Sequence, residues 1–135
     1  MAQLVLTDAS VVINSVDLSD HVKSITLNYA ADMNDDSAMG DTTHSRIGGL
    51  LDWSMDIELQ QDYAASKTDA TLFALVGTTF TVTVKPTSSA VSATNPSFSG
   101  TGILESYPPI AGAVGDEALA SITIQSAGTL TRATS

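Results

Sequence analysis

Along most of this chain apolar and polar residues alternate with a period of two, the spacing that sends successive side chains to opposite faces of a strand. The clearest run is 50–61. There Leu51, Trp53, Met55, Ile57 and Leu59 share one side, and Asp52, Ser54, Asp56, Glu58 and Gln60 the other. A second run covers 22–29, where Ile25, Leu27 and Tyr29 alternate with Ser24, Thr26 and Asn28. Each run predicts a long strand with one dry and one wet face. The stretch between them, 30–49, reads as an acidic loop too long for a hairpin turn. Loops beyond about 12–15 residues without secondary structure of their own are uncommon and usually functional or disordered.

The same pattern predicts shorter elements elsewhere. Residues 2–7 and 10–14 read as strands, with Asp8 and Ala9 as a tight turn or bulge between them. Asn14 and Ser15 suit a turn into VDLSDHV, giving an edge hairpin. In 78–85, Phe80, Val82 and Val84 face inward and the threonines outward; Pro86 ends the strand because it cannot donate to a ladder. Residues 86–97 form a polar loop. Residues 98–107 make another strand, in which Gly100 and Gly102 allow a bend or a close backbone approach. After the break at Pro108–Pro109, residues 118–126 form a last strand with Ile122 and Ile124 inward. The tail 127–135 is expected to fray or to rest on a neighbour.

One segment changes period. Residues 70–76 predict a short helix, capped by Thr68 or Asp69, with Leu72, Phe73 and Val76 near one face and Gly77 as its stop. So few turns cannot stand alone and must dock on a sheet. Seven or eight strands, one helix and no repeat argue an all-β domain spanning 1–135, a β-sandwich or partly open barrel.

Composition narrows the function. The chain has 135 residues, 43% hydrophobic, enough for a core. It has no cysteine, hence no disulfide, thiolate metal site or cysteine nucleophile. Fifteen acidic residues face five basic ones, for a net charge of −10. Lys23, Arg46, Lys67, Lys85 and Arg132 are scattered singly, so the chain is not built to bind nucleic acid by neutralising phosphates. An acidic surface repels DNA, which is also what a passage for DNA requires. The N-terminus MAQLVLTDA lacks the basic region of a signal peptide, and no apolar run approaches the ~18 residues of a membrane span.

The candidate chemistry is weak at each point. Asp32, Asn34 and Asp36 open a D-x-N-x-D calcium loop, but Ser37 stands where the sharp turn needs glycine and Thr43 where a bidentate glutamate is needed. A solvated acidic loop is the better expectation. His21 follows Asp20 and His44 lies shortly after Asp41; surface or interface histidines account for both. The serine-rich chain offers no triad spacing, and neither Gly48–Gly49 nor 112–115 makes a phosphate loop. Trp53 shares parity with Met55, Ile57 and Leu59, so it belongs to the core rather than to a sugar platform. No catalytic, cofactor-binding or metal-binding residues are expected, and no enzymatic activity.

Several stretches together resemble the major tail protein, or tail tube protein, of long, flexible-tailed bacteriophages. They are VVINSVDLSDHVKSITLNY, the loop ending GDTTHS, GLLDWSMDIELQQDY, DATLFALVG, and the closing block from AVSATNPSFSGTGILESY through PPIAGAVGDEALASITIQSAGTLTR. The likeness spans about residues 9–132 and rests on order and pattern, with no catalytic motif. The resemblance implies a β-sandwich with a flanking helix. It implies copies assembled, six to a ring, into stacked rings forming a hollow conduit for DNA ejection in the virion tail. It implies subunits made in the host cytoplasm, and tape-measure, tail-tip and tail-terminator proteins as partners. DNA would pass through without specific binding, and no membrane would be involved. On that resemblance Ser24, Thr26, Asn28, Ser54, Asp56, Glu58 and Gln60 are the candidate lumen face. Met33, Asp35, Asp36, Met39, Asp41, His44 and Arg46 are candidates for a loop reaching an adjacent ring, where a methionine in polar surroundings suits an adaptable apolar contact. The alternatives are a capsid decoration or head–tail joining protein of the same fold and, from another class, a glycan-binding β-sandwich relying on Tyr63 or Tyr107.

Overall fold

The computed structural model describes residues 9–134. The strand expected over 2–7 lies outside them. The described strands are β1 (Ser10–Ile13), β2 (Val16–Asp17), β3 (Val22–Asp35), β4 (Arg46–Gln60), β5 (Thr79–Lys85), β6 (Ser97–Ser106), β7 (Leu119–Ser126) and β8 (Thr131–Ala133). They form one antiparallel sheet in the order β2-β1-β5-β6-β7-β4-β3, with β8 paired to β6. The first hairpin closes through Asn14 and Ser15, both at positive φ (50° and 67°), which places Ile13 opposite Val16. Two left-handed residues in a two-residue loop match the twist of the strands they join.

The sheet curls until its two ends face each other. Val11 and Ile13 of β1 belong to the same buried cluster as Trp53, Met55, Ile57 and Leu59 of β4 and Ala120, Ile122 and Ile124 of β7. Yet β1 and β3 do not pair among the described residues; both line one apolar groove. The expected partly open barrel is therefore what forms, with a seam between its first and last strands. Trp53 sets the packing on the closed side. Its indole Nε1 donates to the Gly128 carbonyl at 2.8 Å. Gly100 and Gly102 of β6 give it room: a Cβ on Gly100 would stand 2.9 Å from the indole, and one on Gly102 2.5 Å from the Ile124 side chain. The close approach expected of these glycines is made against Trp53 and Ile124.

The helix α1 (Thr68–Leu72) continues as a single tighter turn over Phe73–Leu75. Its buried face is Thr68, Thr71, Leu72 and Leu75, an i, i+3, i+4, i+7 stripe. Phe73 and Val76 were expected on that face and are instead exposed, at 68% and 44%. The helix starts earlier than its cap residues suggested, and this rotates the stripe. Thr68 does not cap through a side-chain bond to its own helix; its hydroxyl donates to the Gln60 carbonyl and ties the helix to the end of β4. Gly77, at φ +79°, ends the segment as expected.

Two other expectations change. The tail does not fray throughout: Thr131–Ala133 pairs with Ser97–Ser99, because the start of β6 offers a free edge there. Half of the expected loop 30–49 is strand: residues 30–35 belong to β3 and 46–49 to β4. β3 and β4 stay paired through Ala30↔Asp52, Ala31↔Leu51, Met33↔Gly48, Asn34↔Ile47 and Asp35↔Arg46, with a register shift between Ala31 and Met33. Alternation is invisible there because both faces of the ribbon are in solvent.

Candidate functional site

The wet faces expected on the two long strands meet as one surface. In register, Ser24 lies opposite Glu58, Thr26 opposite Asp56 and Asn28 opposite Ser54. On the far side of β4, β7 continues the rows with Ser121 opposite Glu58, Thr123 opposite Asp56 and Gln125 opposite Ser54. Gln60, the last of the expected row, sits opposite Leu119 and donates to Glu117 at 3.2 Å. Thus all seven expected residues fall on one three-stranded polar wall, the outer face of the core strands. The alternation in 22–29 and 50–61 marks two of these three strands. The missing third was available from the inward placement of Ile122 and Ile124, which leaves Ser121, Thr123 and Gln125 outward.

The wall is acidic and cross-tied. The Thr123 hydroxyl donates to Asp56 at 2.9 Å, the Ser126 hydroxyl to Asp52 at 2.6 Å, and Gln125 to Glu105 of β6 at 3.3 Å. These bonds hold the carboxylates by neutral donors, so their charge is not cancelled. The basic group beside this surface is Lys23, and its ammonium is paired with Glu117 at 2.9 Å, the contact that raises its pKa above the usual lysine range. A small depression between Ser24, Thr26, Glu58, Ser121 and Thr123 marks the middle of the wall. Its chemistry is that of a carboxylate-rich, hydroxyl-rich surface with no positioned nucleophile or base.

The second feature is the arm. β4 pairs with β7 only from Ser54 onward, so the β3–β4 ribbon beyond Tyr29 and Trp53 leaves the body as a two-stranded hairpin. Six strand residues, 30–35, carry it roughly 20 Å outward. Of the residues expected in an inter-ring loop, Met33, Asp35 and Arg46 lie in the paired strands, whereas Asp36, Met39, Asp41 and His44 lie in the tip. The tip is self-contained. Asp35 accepts from the Ser37 N–H, Asp41 accepts from the Ala38 N–H, and the Asp36 N–H donates to the Ser45 carbonyl. Bonds from Ser37 hold the Asp35 carboxyl below the usual carboxylate range. Asp32 and Asn34 lie in the paired strand β3 and Asp36 just beyond its end, so the D-x-N-x-D run does not form a ligand loop. Exposed apolar residues mark the arm: Met33, Ile47, Leu50 and Leu51 are all more than half exposed.

The two histidines are not brought together. His44 sits at the arm tip, 3.3 Å from Asp35. His21 lies at the opposite end of β3, half-buried between Asp20 (2.8 Å to Nδ1) and Asp62 (2.9 Å to Nε2). Hydrogen bonding to Asp62 first, then to Asp20, raises its pKa above the ordinary imidazole value. His21 is thus a clasp between the entry to β3 and the segment leading into α1. Tyr107, a candidate for glycan stacking, is buried; its hydroxyl donates to Asp69 at 2.8 Å, and burial chiefly pushes its pKa up to about 12. Tyr63 is exposed, with its hydroxyl donating to the Pro109 carbonyl. Tyr63 and Tyr107 therefore do not form an exposed pair.

No protein-family model and no curated protein sequence matches the chain. Solved structures do match in fold. A chain from the tail of an empty gene transfer agent particle, determined with C6 symmetry, is similar with a TM-score of 0.66 and 16% identity, over 82% of this chain and 81% of that one. A chain of the SPP1 tail tube is similar with a TM-score of 0.72 and 11% identity, over 95% of this chain and 77% of that one. A chain of the sheath/tube terminator of the PVC extracellular contractile injection system is similar with a TM-score of 0.73 and 9% identity, over 98% of this chain and 97% of that one. The chain therefore has the all-β fold of tail-tube and tube-terminator proteins, the class of fold expected from the sequence.

Proposed function

We infer that this protein is a structural subunit that assembles into stacked rings, six copies to a ring, forming the hollow tube of a phage-type tail. The observation that carries the reading is the pairing, on a tail-tube fold, of an acidic, uncompensated polar wall with a projecting arm. Turned inward, the wall gives DNA a surface with which it makes no ion pairs, so the polymer slides rather than sticks. The residues assigned to that lumen are Ser24, Thr26, Asn28, Ser54, Asp56, Glu58 and Gln60, joined by Ser121, Thr123 and Gln125. The arm, with Met33, Asp35, Asp36, Met39, Asp41, His44 and Arg46, ties one copy to another. A closed ring also disposes of the free edges at β2 and β3, which in a lone subunit invite uncontrolled pairing. The role is architectural rather than catalytic, the place is the virion tail, and tape-measure, tip and terminator proteins are the expected companions.

Labelling of particles that carry the protein tests this reading. Antibody against the chain should decorate the tail along its whole length. Decoration confined to the head, or to one end of the tail as a terminator would give, contradicts it.

A further inference from the structure

The seam of the barrel holds an apolar groove of about 570 Å³. Ile25, Leu27 and Tyr29 of β3 form one side, with Val84, Phe98 and Leu130 opposite. Lys85 and Arg132 also line it, so two of the chain's five basic residues stand at one apolar slot. The slot runs beside the β3 edge, which pairs with nothing on its outer side among the described residues. An extended segment with apolar side chains and neighbouring carboxylates fits such a place.

The arm is that kind of segment. It presents Met33, Ile47, Leu50 and Leu51 to solvent, spread over both faces of the ribbon. Asp32, Asp35, Asp36 and Asp52 flank them. A chain's own arm cannot fill its own groove. Tyr29 is at the groove, and the paired ribbon beyond it runs away from the body. The exposed Ile110 and Val114 have acidic neighbours too, in Asp116 and Glu117, but they sit in a turn on the body and have no comparable reach.

We propose that the seam groove receives the apolar section of the arm of a second copy, with Lys85 and Arg132 set against that arm's carboxylates. The contact is heterologous: each copy gives an arm and offers a groove, so the chain of contacts continues from copy to copy. It rests on the assembly reading above and names the surface through which assembly occurs.

The absence of cysteine makes a direct test available. Met33→Cys and Arg132→Cys are placed in one chain and the assembled protein is oxidised. The expected result is a ladder of disulfide-linked oligomers on a non-reducing gel, lost on reduction. Met33→Cys with Asp116→Cys is the control and should give monomer. Intact tubes without a ladder, or an equal ladder from the control, overturn the groove contact and leave the tube reading standing. A cysteine at Leu4 that links to Arg132→Cys within one chain, in place of the ladder, shows the protein's own N-terminal segment in the groove and overturns the proposal. Tubes absent from the unsubstituted protein overturn the assembly reading itself, and the proposal with it. Should the cysteine variants not assemble, charge exchange decides. Lys85→Glu with Arg132→Glu should raise the concentration needed for assembly about tenfold, and adding Asp35→Lys with Asp36→Lys should restore it; no rise, or no restoration, counts against the contact.

Discussion

Reversing the charge of the polar wall separates its role in the fold from its role in the tube. The perturbation is Asp56→Lys with Glu58→Lys. Both side chains point off the outer face of β4, away from the core cluster. Asp56 gives up one hydrogen bond, from Thr123. Surface substitutions of this kind usually change stability by no more than about 0.5 kcal/mol each. For 135 residues, a loss of about 1 kcal/mol lowers Tm by roughly 3–4 °C. The monomer should therefore fold and tubes should form. What changes is the wall: the net charge of each subunit moves from −10 to −6, since two carboxylates become two ammonium groups. DNA drawn through such a tube meets lysines in every ring. With about four phosphates neutralised at once, the log–log salt slope is near −3.6, so retention should weaken about 150-fold between 50 and 200 mM salt. The assay is DNA retention by purified tubes across that salt range, together with DNA ejection from particles carrying the variant. Tubes of normal appearance that retain no DNA and eject it at the normal rate would refute a lumen position for this wall.

Other expectations follow from single contacts. Gly102→Ala forces a Cβ against Ile124 and should destabilise the protein by about 1–3 kcal/mol in denaturant melts, with little change in m-value; a neutral result would contradict the close packing of β6 on β7. The His21 clasp makes stability depend on pH. The raised pKa of His21 means its contribution is fully present below about 6.5 and is lost as pH rises through the higher folded value. Asp20 and Asp62 are lowered, so their contributions are present above about 3.8 and are lost as pH falls through their folded values. The clasp is therefore strongest between these limits, and His21→Gln should flatten the Tm profile above pH 6; an unchanged profile would remove His21 from it. Replacing Asp36–Ser45 by a two-residue turn should leave the circular dichroism of the body intact and shorten or abolish stacking, seen as short assemblies by electron microscopy.

The strands that form the body were legible because each has one dry face. Met55, Ile57 and Leu59 announce β4, and Phe80, Val82 and Val84 announce β5, through burial that the sequence must respect. The arm was not legible for the complementary reason. Met33, Ile47 and Leu50 sit on a ribbon wet on both sides, where no core enforces a period of two, so a paired hairpin reads as a loop. The helix face was misplaced because Thr68 and Thr71 are buried beside Leu72 and Leu75, and a threonine gives no apolar signal. β8 has no sequence signal, since three residues of TRA carry no pattern, only a free edge to join. Alternation alone marks the wall residues, but their union across β3, β4 and β7 depends on strand order, and a single strand's sequence does not encode its neighbours.

A cryo-electron microscopy map of the assembled protein bears most directly on the central claim. It should show a hollow tube of stacked six-membered rings in which β3, β4 and β7 face the channel and Asp56 and Glu58 line it. Rings whose channel is lined by the seam side of the barrel instead, or concentrated protein that forms no tube, would contradict the assignment.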